Sequence, residues 1–418
     1  MHKERVVGDH RFLVIVCAVN SQGSSGGTPQ RAPGGFPVVG IIGGGQLARM
    51  CAPYAVNLGV TLTVLSESCD DSAALVVPSS PVGAHTDLDA VRAFAAQCDV
   101  VTFDHEHVPQ HILRALVDDG VRVHPGPDAL ANAQDKLVMR ARLTQLGIPC
   151  PPWAAVDSID QVEQFATEHG WPVVLKTPRG GYDGKGVLLA KSVAEASDWV
   201  DRLSGGEQLL IEQAVPFRRE LAVLVARSPS GQAAVWPVVH TVQTDGICTE
   251  VIAPAADLDE ELAGRLTRDA LTIAAELGVT GVMAVEVFQI DDADGNSAYV
   301  VNELAMRPHN SGHWTMDGSV TSQFEQHLRA VLDLPLGDTR ARSRWTVMGN
   351  VLGGDYPELY PTYRHLMARD PGLKIHMYGK DVRPGRKIGH VNVYGDDLLA
   401  LRERAQHATD YLQGVITE

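Results

Sequence analysis

Two lysines and a glycine-rich segment carry the clearest chemical pattern in this sequence. Lys176 ends an apolar, β-branched run, and Gly180-Gly181-Tyr182-Asp183-Gly184-Lys185-Gly186 follows shortly after it. A loop with four glycines can close its backbone amides over phosphate groups, and a lysine beside it supplies a compact positive charge. A plain hairpin turn rarely needs so many glycines next to lysines. The segment therefore predicts a phosphate-binding flap of the kind that phosphoryl transfer requires.

Two glutamates lie in apolar runs that a turn connects. Glu286 interrupts the run 283–288, and Glu303 follows the run 299–302, with Asp294-Gly295 as a hairpin turn between them. A carboxylate among apolar strand residues is costly unless a cation neutralises it. Magnesium, or manganese in its place, suits a few carboxylates beside substrate phosphates. The alternative is that both glutamates face solvent on the polar side of the hairpin.

A cation and hydrogen-bond donors follow the second glutamate, in the segment Arg307-Pro308-His309-Asn310-Ser311-Gly312-His313. Arginine suits bidentate contact with a flat oxyanion such as bicarbonate, and a neighbouring histidine can donate to the same group or move a proton. A lone histidine is by default a structural hydrogen-bonding group. Because this segment adjoins Glu303, we expect it to bind an oxyanion beside the metal.

Basic side chains also crowd one short loop near the C-terminus, which holds Lys380, Arg383, Arg386 and Lys387. In an acidic chain this positive patch predicts an anchor for the phosphate of a nucleotide-like substrate. A solvated turn is the alternative.

Another glycine-rich motif follows the first apolar run: Gly43-Gly44-Gly45-Gln46-Leu47-Ala48. Glu67 lies near the end of the next apolar run. The spacing matches the dinucleotide fingerprint G-x-G-x-x-A. Free backbone amides at a helix start attract any phosphate, so the motif does not identify the ligand. A nicotinamide-dependent oxidoreductase and a tight turn without a ligand both stay open here.

The elements that must position these residues follow from the apolar pattern. Between residues 37 and 135, short β-branched runs alternate with helical patterns, which predicts parallel β-α-β units. The predicted elements are strands at 38–42, 61–65 and 100–103 and helices at 46–57, 88–97 and 132–146. Residues 1–36 are expected to form a flexible extension, since residues 20–36 are rich in Ser, Gly and Pro.

From residue 136 onward, strands and helices mix without strict alternation, which predicts an α+β region after the α/β one. The predicted strands are 173–177, 187–190, 209–213, 221–226, 233–241, 283–290 and 299–304, and the predicted helices are 159–169, 193–203, 259–276 and 322–331. After a break at 335–338, strands at 345–351, 374–378 and 387–393 precede a helix at 396–412.

Composition excludes several classes of protein. The chain has 418 residues, 44% apolar and 21% charged, which is ordinary for a globular protein of two or three domains. Its net charge of −16 disfavours nucleic acid and anionic membranes, so small molecules are the expected partners. No stretch reaches the ~20 apolar residues of a membrane helix. The six cysteines form no C-x-x-C pair and fit reduced thiols in the cytoplasm.

Together the motifs resemble those of a known family. Lys136 with Lys176, the loop 181–186, Glu212 with Glu220, and Glu286 with Asn302-Glu303 resemble an ATP-grasp ligase. Further segments resemble the ATP-dependent carboxyaminoimidazole ribonucleotide synthases of purine biosynthesis: 43–47, 102–109, 133–136, 307–313, 321–327 and 385–390. The resemblance covers residues 37–415.

The resemblance implies a Rossmann-like domain over 37–135, an ATP-grasp domain of two subdomains over 136–335 and a small α+β domain over 336–418. It implies a cytoplasmic homodimer. It also implies the reaction, in which ATP phosphorylates bicarbonate to carboxyphosphate. The exocyclic amine of 5-aminoimidazole ribonucleotide is then carboxylated, leaving ADP and phosphate.

The resemblance also implies a role for each candidate residue. ATP is assigned to Lys136, Lys176, Gly181, Tyr182, Asp183, Gly184, Lys185, Gly186, Glu212, Gln213, Val215, Glu220, Gln243, Asn302 and Glu303, and magnesium to Glu286 and Glu303. The catalytic set is Arg307, His309, Asn310 and Asp183. The ribonucleotide is assigned to Gly44, Gly45, Gln46, Leu47, Glu106, Lys380, Arg386 and Lys387.

The chain departs from the family pattern at Asp104, where Glu is common, and at Gln243, where His is expected. Both replacements are polar, so we expect adjusted contacts and retained activity.

Other functions stay open. An oxidoreductase would leave the glycine-rich loop 180–186 and the pair of Glu286 and Glu303 unexplained. A biotin carboxylase-like or formate-using ligase would share the ATP-binding residues. An inactive binding protein would not need all of the lysines and carboxylates that the motifs contain.

Overall fold

The computed structural model describes residues 29–181, 186–204, 206–354, 356 and 358–417. Within these residues, sixteen strands form three sheets, and twelve helices accompany them. No helix in this part of the chain has the length and apolar content that crossing a membrane requires.

The N-terminal unit is a three-stranded parallel sheet. Val38–Ile42 (β1) lies between Thr61–Leu65 (β2) and Val100–Phe103 (β3), and the helices Gln46–Leu58 (α1) and Leu88–Ala95 (α2) connect the strands. The three strand predictions are confirmed. Each strand is a short run of buried and mostly β-branched residues, the pattern typical of a parallel sheet covered on both faces.

Three helices lead out of this unit: Gln110–Asp118 (α3), Pro127–Gln134 (α4) and Lys136–Gln145 (α5). The prediction of one helix over 132–146 is wrong. Asp135 is extended, with φ −135° and ψ 112°, and its carboxylate accepts hydrogen bonds from the backbone amides of Leu137 and Val138. Asp135 therefore caps α5, and Lys136 is the first residue of that helix.

The second sheet is antiparallel, in the order β4-β7-β5-β6. It contains Trp153–Val156 (β4), Val173–Lys176 (β5), Val187–Ala190 (β6) and Leu209–Gln213 (β7), and the helices Ile159–His169 (α6) and Val193–Val200 (α7) pack on it. Val174 is paired with Glu212 in this sheet. Because side chains alternate along a strand, Lys176 and Glu212 lie on the same face.

The third sheet has nine strands and runs in the order β13-β12-β8-β10-β11-β14-β16-β15, with β9 also beside β8. Its first part contains Arg219–Arg227 (β8), Ala233–Val235 (β9), Val239–Thr244 (β10), Ile247–Ala253 (β11), Gly281–Asp291 (β12) and Ser297–Ala305 (β13), with the helix Glu260–Glu276 (α8) packed on β8. The prediction of one strand over 233–241 is wrong. Trp236 and Pro237 separate β9 from β10, and the buried indole of Trp236 donates to the Thr321 carbonyl.

The C-terminal part continues this sheet. It contains Thr315–Gly318 (α9), Gln323–Val331 (α10), Trp345–Leu352 (β14), Thr362–Arg369 (α11), Lys374–Met377 (β15), Lys387–Gly395 (β16) and Leu398–Gln413 (α12). Strand β14 pairs with both β11 and β16. Helix α10 packs Phe324 and Leu328 into the core of the N-terminal unit. The segment 307–313, between β13 and α9, contacts Glu106 beyond β3 and Asn350 on β14.

Candidate active site

The two predicted glutamates face each other. Glu286 on β12 and Glu303 on β13 are direct partners in the antiparallel register. Burial raises the pKa of Glu286 to about 8, and the negative charges of Glu303 and Glu220 contribute to the shift. A carboxyl group with this pKa holds a proton at neutral pH unless a cation replaces it. The pair therefore fits a divalent cation that prefers oxygen ligands.

The two predicted lysines reach this pair from different elements. Lys136 at the start of α5 lies with Nζ 3.6 Å from Glu303 Oε1. Lys176 at the end of β5 lies with Nζ 2.6 Å from Glu212 Oε2, and it donates to Asn302 Oδ1 at 3.2 Å. Burial lowers the pKa of Lys176, although Glu212 opposes the shift. Two ammonium groups and two carboxylates thus converge at the end of the β12–β13 hairpin.

Arg140 is a cation that the sequence analysis missed, and it contacts the same carboxylate as Lys176. Its side chain is fully buried, and Nε donates to Glu212 Oε1 at 2.5 Å while Nη2 donates to the Asn302 carbonyl at 2.7 Å. Burial favours the neutral form of Glu212, but Arg140 and Lys176 hold its pKa below the ordinary value. The available signal was a charged residue on the otherwise apolar face of α5.

The glycine-rich segment is described only at its ends. Gly181 is partly exposed, and Gly186 has a φ of +72° that favours glycine. The Thr177 amide donates to the Gly186 carbonyl at 3.0 Å, which anchors the end of the loop beside Lys176. A Cβ on Gly186 would lie 2.5 Å from Thr177 Oγ1. Tyr182, Asp183, Gly184 and Lys185 lie outside the described residues.

The residues predicted to line adenosine are distributed around β7, β8 and β10. Gln213 donates its side-chain amide to the His169 carbonyl at 3.1 Å, and Val215 is partly exposed just beyond β7. Burial raises the pKa of Glu220, and a hydrogen bond from Gln243 partly offsets this effect. Gln243 therefore contacts the same carboxylate that a cationic histidine at this position would also approach.

Arg307 and His309 are held in defined orientations. Arg307 Nε donates to Glu106 Oε2 at 2.9 Å, and Glu106 Oε1 accepts the Met306 amide at 2.8 Å. His309 Nδ1 accepts the Ser311 amide at 3.3 Å, so the proton of a neutral imidazole lies on Nε2, 3.3 Å from Glu286 Oε1. Burial lowers the pKa of His309 to about 3, with Arg307 and Lys387 contributing. His309 is thus a neutral hydrogen-bond donor.

Asn310 forms a reciprocal amide pair with Asn350 on β14, which the sequence analysis did not single out. Asn310 Nδ2 donates to Asn350 Oδ1 at 3.0 Å, and Asn350 Nδ2 donates to Asn310 Oδ1 at 2.7 Å. The Asn350 amide also donates to the Cys248 carbonyl at 2.8 Å. This pair fixes which end of the Asn310 amide faces the site. No local sequence pattern predicts a contact between two asparagines forty residues apart.

The segment 43–48 is arranged differently from a dinucleotide site. Asp104 Oδ1 accepts the Ala48 amide at 2.7 Å, and a Cβ on Gly45 would lie 2.0 Å from Asp104 Oδ2. A carboxylate therefore occupies the start of α1, where a pyrophosphate would have to bind. Glu67 instead pairs with His85, with 2.7 Å between Oε1 and Nδ1. This geometry disfavours the oxidoreductase hypothesis.

The other residues predicted to bind the ribonucleotide are split between two places. Gly44 follows β1, the side chain of Gln46 accepts a hydrogen bond from Lys380, and Leu47 is buried in the N-terminal core. Arg386 is exposed, with Nη1 3.8 Å from Asp381 Oδ2. Lys387, the first residue of β16, is close enough to lower the pKa of His309. The N-terminal unit and the C-terminal loop thus meet at Gln46 and Lys380.

Comparisons with known proteins agree with this architecture. Three family models match the chain: the ribonucleotide synthetase preATP-grasp domain over residues 37–134, the ATP-grasp domain over 141–324, and the phosphoribosylaminoimidazole carboxylase C-terminal domain over 346–404.

The chain is also similar over most of its length to individual proteins. It is 54% identical to an N5-carboxyaminoimidazole ribonucleotide synthase of Mycobacterium tuberculosis, covering 90% of this chain and 88% of the relative. It is 48% identical to the enzyme of that name from Corynebacterium ammoniagenes, covering 93% and 95%. The N5-carboxyaminoimidazole synthase of Aspergillus clavatus, solved with ADP and 5-aminoimidazole ribonucleotide, superimposes with a TM-score of 0.80. It is 29% identical, over 90% of this chain and 98% of that one.

Proposed function

The chain belongs to the family of N5-carboxyaminoimidazole ribonucleotide synthases, and we propose that it uses ATP and bicarbonate to carboxylate the exocyclic amine of 5-aminoimidazole ribonucleotide. The observation that carries the proposal is the convergence of Lys136, Lys176, Glu286 and Glu303 at one end of the β12–β13 hairpin. Phosphoryl transfer requires positive charge on the phosphates and carboxylates that hold a metal.

Glu286 and Glu303 suit a divalent metal by their chemistry. Both donors are carboxylates, they are direct partners across the hairpin, and the pKa of Glu286 is raised by burial and by the neighbouring negative charge. Magnesium or manganese bound there would offset the charge of the transferred phosphoryl group. Asn302 beside Glu303 adds an amide oxygen to the same region.

The nucleotide would lie between the antiparallel sheet and the hairpin. Lys136, Lys176 and the loop 181–186 would contact the phosphates. On the adenosine side, the assigned residues are Glu212, Gln213, Val215, Glu220 and Gln243. In this arrangement burial lowers the pKa of Lys176, and Glu212 opposes that effect.

Arg307, His309 and Asn310 would hold bicarbonate and then carboxyphosphate. An oxygen of bicarbonate attacks the γ-phosphorus of ATP, and ADP leaves. Carboxyphosphate hydrolyses readily, so it must be held by donors in a site that excludes water. The neutral His309 donates through Nε2, and Asn350 orients the Asn310 amide.

In the second half of the reaction, the amine nitrogen of the ribonucleotide forms a bond to the carboxyl carbon and phosphate leaves. The carbon is delivered either as carboxyphosphate or as carbon dioxide released from it. Gly44, Gly45, Gln46, Leu47, Lys380, Arg386 and Lys387 would surround the ribonucleotide, and Glu106 and Asp183 would orient its amine. Glu106 would orient the amine while its carboxylate stays bound to Arg307. It would thus join the residues proposed for bicarbonate to those proposed for the ribonucleotide.

The test is ADP release with bicarbonate, measured with and without 5-aminoimidazole ribonucleotide. We expect ADP release to depend strictly on the ribonucleotide and ¹³C from labelled bicarbonate to appear on its exocyclic nitrogen. ADP release at the same rate without the ribonucleotide, or no label in the product, would contradict the proposal.

The resemblance also supports three domains bounded at residues 135 and 335, a homodimer and a cytoplasmic location. Light scattering of the purified chain tests the dimer, since a mass of twice 44.9 kDa is expected. Cell fractionation tests the location, and limited proteolysis near the two boundaries tests the domains.

A further inference from the structure

Four residues form a closed ring of hydrogen bonds beside the glutamate pair. Arg140 donates to one oxygen of Glu212, and Lys176 donates to the other. Lys176 also donates to the side-chain oxygen of Asn302, and the backbone carbonyl of Asn302 accepts from Arg140. The four distances run from 2.5 to 3.2 Å, and Arg140, Lys176 and Glu212 are buried. None of the steps proposed above uses Arg140.

The ring connects different parts of the fold. Arg140 comes from α5, Lys176 and Glu212 come from the four-stranded sheet, and Asn302 lies on β13 of the nine-stranded sheet. The two sheets enclose the proposed nucleotide site between them. Arg140 contacts both, so it fixes the position of Glu212 relative to the strand that carries Glu303.

The charges of the ring do not cancel. Arg140 and Lys176 bring two positive charges and Glu212 brings one negative charge, so one positive charge is left. Without Arg140, Lys176 and Glu212 would be a neutral pair with their charged atoms 2.6 Å apart. Coulomb interactions are weakly screened in such a buried setting, so a phosphate would meet a much weaker positive field.

We propose that Arg140 is a positioning residue for nucleotide binding: it engages one oxygen of Glu212, so that Arg140, Lys176 and Glu212 together keep a net positive charge for the phosphates. This inference rests on the proposed function and deepens it. Arg140 itself does not touch the nucleotide. Its effect should therefore depend on the charge of the ligand rather than on the adenosine part.

The test compares ADP and adenosine as probes by titration calorimetry, with magnesium present and again with EDTA. In Arg140→Gln we expect the Kd of ADP to rise about 10- to 100-fold, the range for a lost charged interaction in a buried site. The Kd of adenosine should rise clearly less than that of ADP, because adenosine carries no phosphate and Lys176 still holds Glu212.

A further variant separates charge from structure. Arg140→Lys keeps the positive charge but loses the planar group that bonds both Glu212 and Asn302. It should bind ADP within about threefold of the unsubstituted chain. An arginine that acts only through its shape predicts instead that Arg140→Lys weakens ADP binding as much as Arg140→Gln does.

Arg142→Gln is the matched control. Arg142 lies on the same helix but is partly exposed, and its side chain contacts Gln145 and Glu276. We expect its Kd for ADP to be unchanged. Thermal unfolding of every variant checks that the fold is retained.

Equal weakening of ADP and adenosine in Arg140→Gln would overturn the proposal. A tenfold loss of ADP affinity in Arg140→Lys would also overturn it, and this result can be obtained even if Arg140→Gln does not fold. If the unsubstituted chain binds no ADP, the proposed function itself fails. ADP binding that Arg140→Gln leaves unchanged contradicts the role of Arg140 alone.

Discussion

Replacing Glu286 by glutamine should change how the stability of the metal-free protein depends on pH. Burial, Glu303 and Glu220 raise the pKa of Glu286 from 4.5 to about 8. A group whose pKa is raised on folding contributes stability that is fully present below its unfolded pKa and is lost as the pH rises through the folded pKa. The unsubstituted chain must therefore lose stability between about pH 4.5 and pH 8.

The size of this loss follows from the shift. Each pH unit within the window costs about 1.4 kcal/mol, so the step from pH 6 to pH 8 costs about 2 kcal/mol once partial ionisation at pH 8 is included. The side chain of Glu286 is only 25% exposed, so solvent screening removes little of this effect. For a domain of about 200 residues, the length proposed for the ATP-grasp domain, a free-energy change of about 2 kcal/mol corresponds to a change of about 5 °C in Tm.

Glutamine resembles the protonated glutamate in shape and cannot ionise. We therefore expect the Tm of Glu286→Gln minus that of the unsubstituted chain to grow by about 5 °C from pH 6 to pH 8. The measurement is differential scanning calorimetry in EDTA at four or more pH values. The contributions of histidines that titrate alike in both proteins cancel in the Tm difference.

Glu163→Gln, a change at an exposed position on α6, is the matched control, and its Tm difference should stay level with pH. Two results would refute the reasoning. One is a Tm difference for Glu286→Gln that does not grow with pH. The other is a difference that shrinks, which would mean that the folded protein favours the charged form of Glu286.

Three substitutions test the proposed roles of other residues. Glu303→Gln should abolish ADP formation in a coupled assay without lowering Tm by more than a few degrees, since it removes charge and no volume; unchanged turnover would contradict the metal role. Arg307→Lys should lower kcat about 10- to 100-fold because the planar contact is lost, and near-normal kinetics with bicarbonate would contradict the oxyanion role. Asn350→Asp replaces the donor to Asn310 by an acceptor, so kcat should fall about tenfold and Tm should drop; a normal kcat would show that the amide pair does not orient Asn310.

Much of the secondary structure could be predicted because short apolar runs with clear ends form the sheets. The strands β1, β2, β3, β6 and β7 have the predicted bounds. The two errors come from side chains that compete with the local pattern. The carboxylate of Asp135 caps a new helix inside an apparently continuous one, and Pro237 has no amide to donate beside Trp236. The strands β4 and β11 and the helices α3, α9 and α11 were not predicted.

The chemistry of the site could be predicted further than its geometry. Lysines, glutamates and glycines in unusual positions indicate phosphate and metal binding by their type alone. The contacts of Arg140, Asn350 and Asp104 join residues that are 40 to 162 positions apart in the chain. Only the packing of separate elements creates such pairs, so no local spacing reveals them.

The cations of the site already have carboxylate partners: Lys136 lies beside Glu303, Lys176 beside Glu212, and Arg307 beside Glu106. A bare anion that binds Lys136 must therefore leave Glu303 uncompensated, which costs free energy in a partly buried site, whereas Glu212 has Arg140 as a second partner. A nucleotide accompanied by a divalent cation would avoid this cost, because the cation would compensate Glu303 and leave Lys136 for the phosphates. In a chain with a net charge of −16, this arrangement favours the metal-bound nucleotide over inorganic phosphate. The same pairing explains why the lysines and the glutamates are needed together, since either pair alone would leave buried charge without a partner.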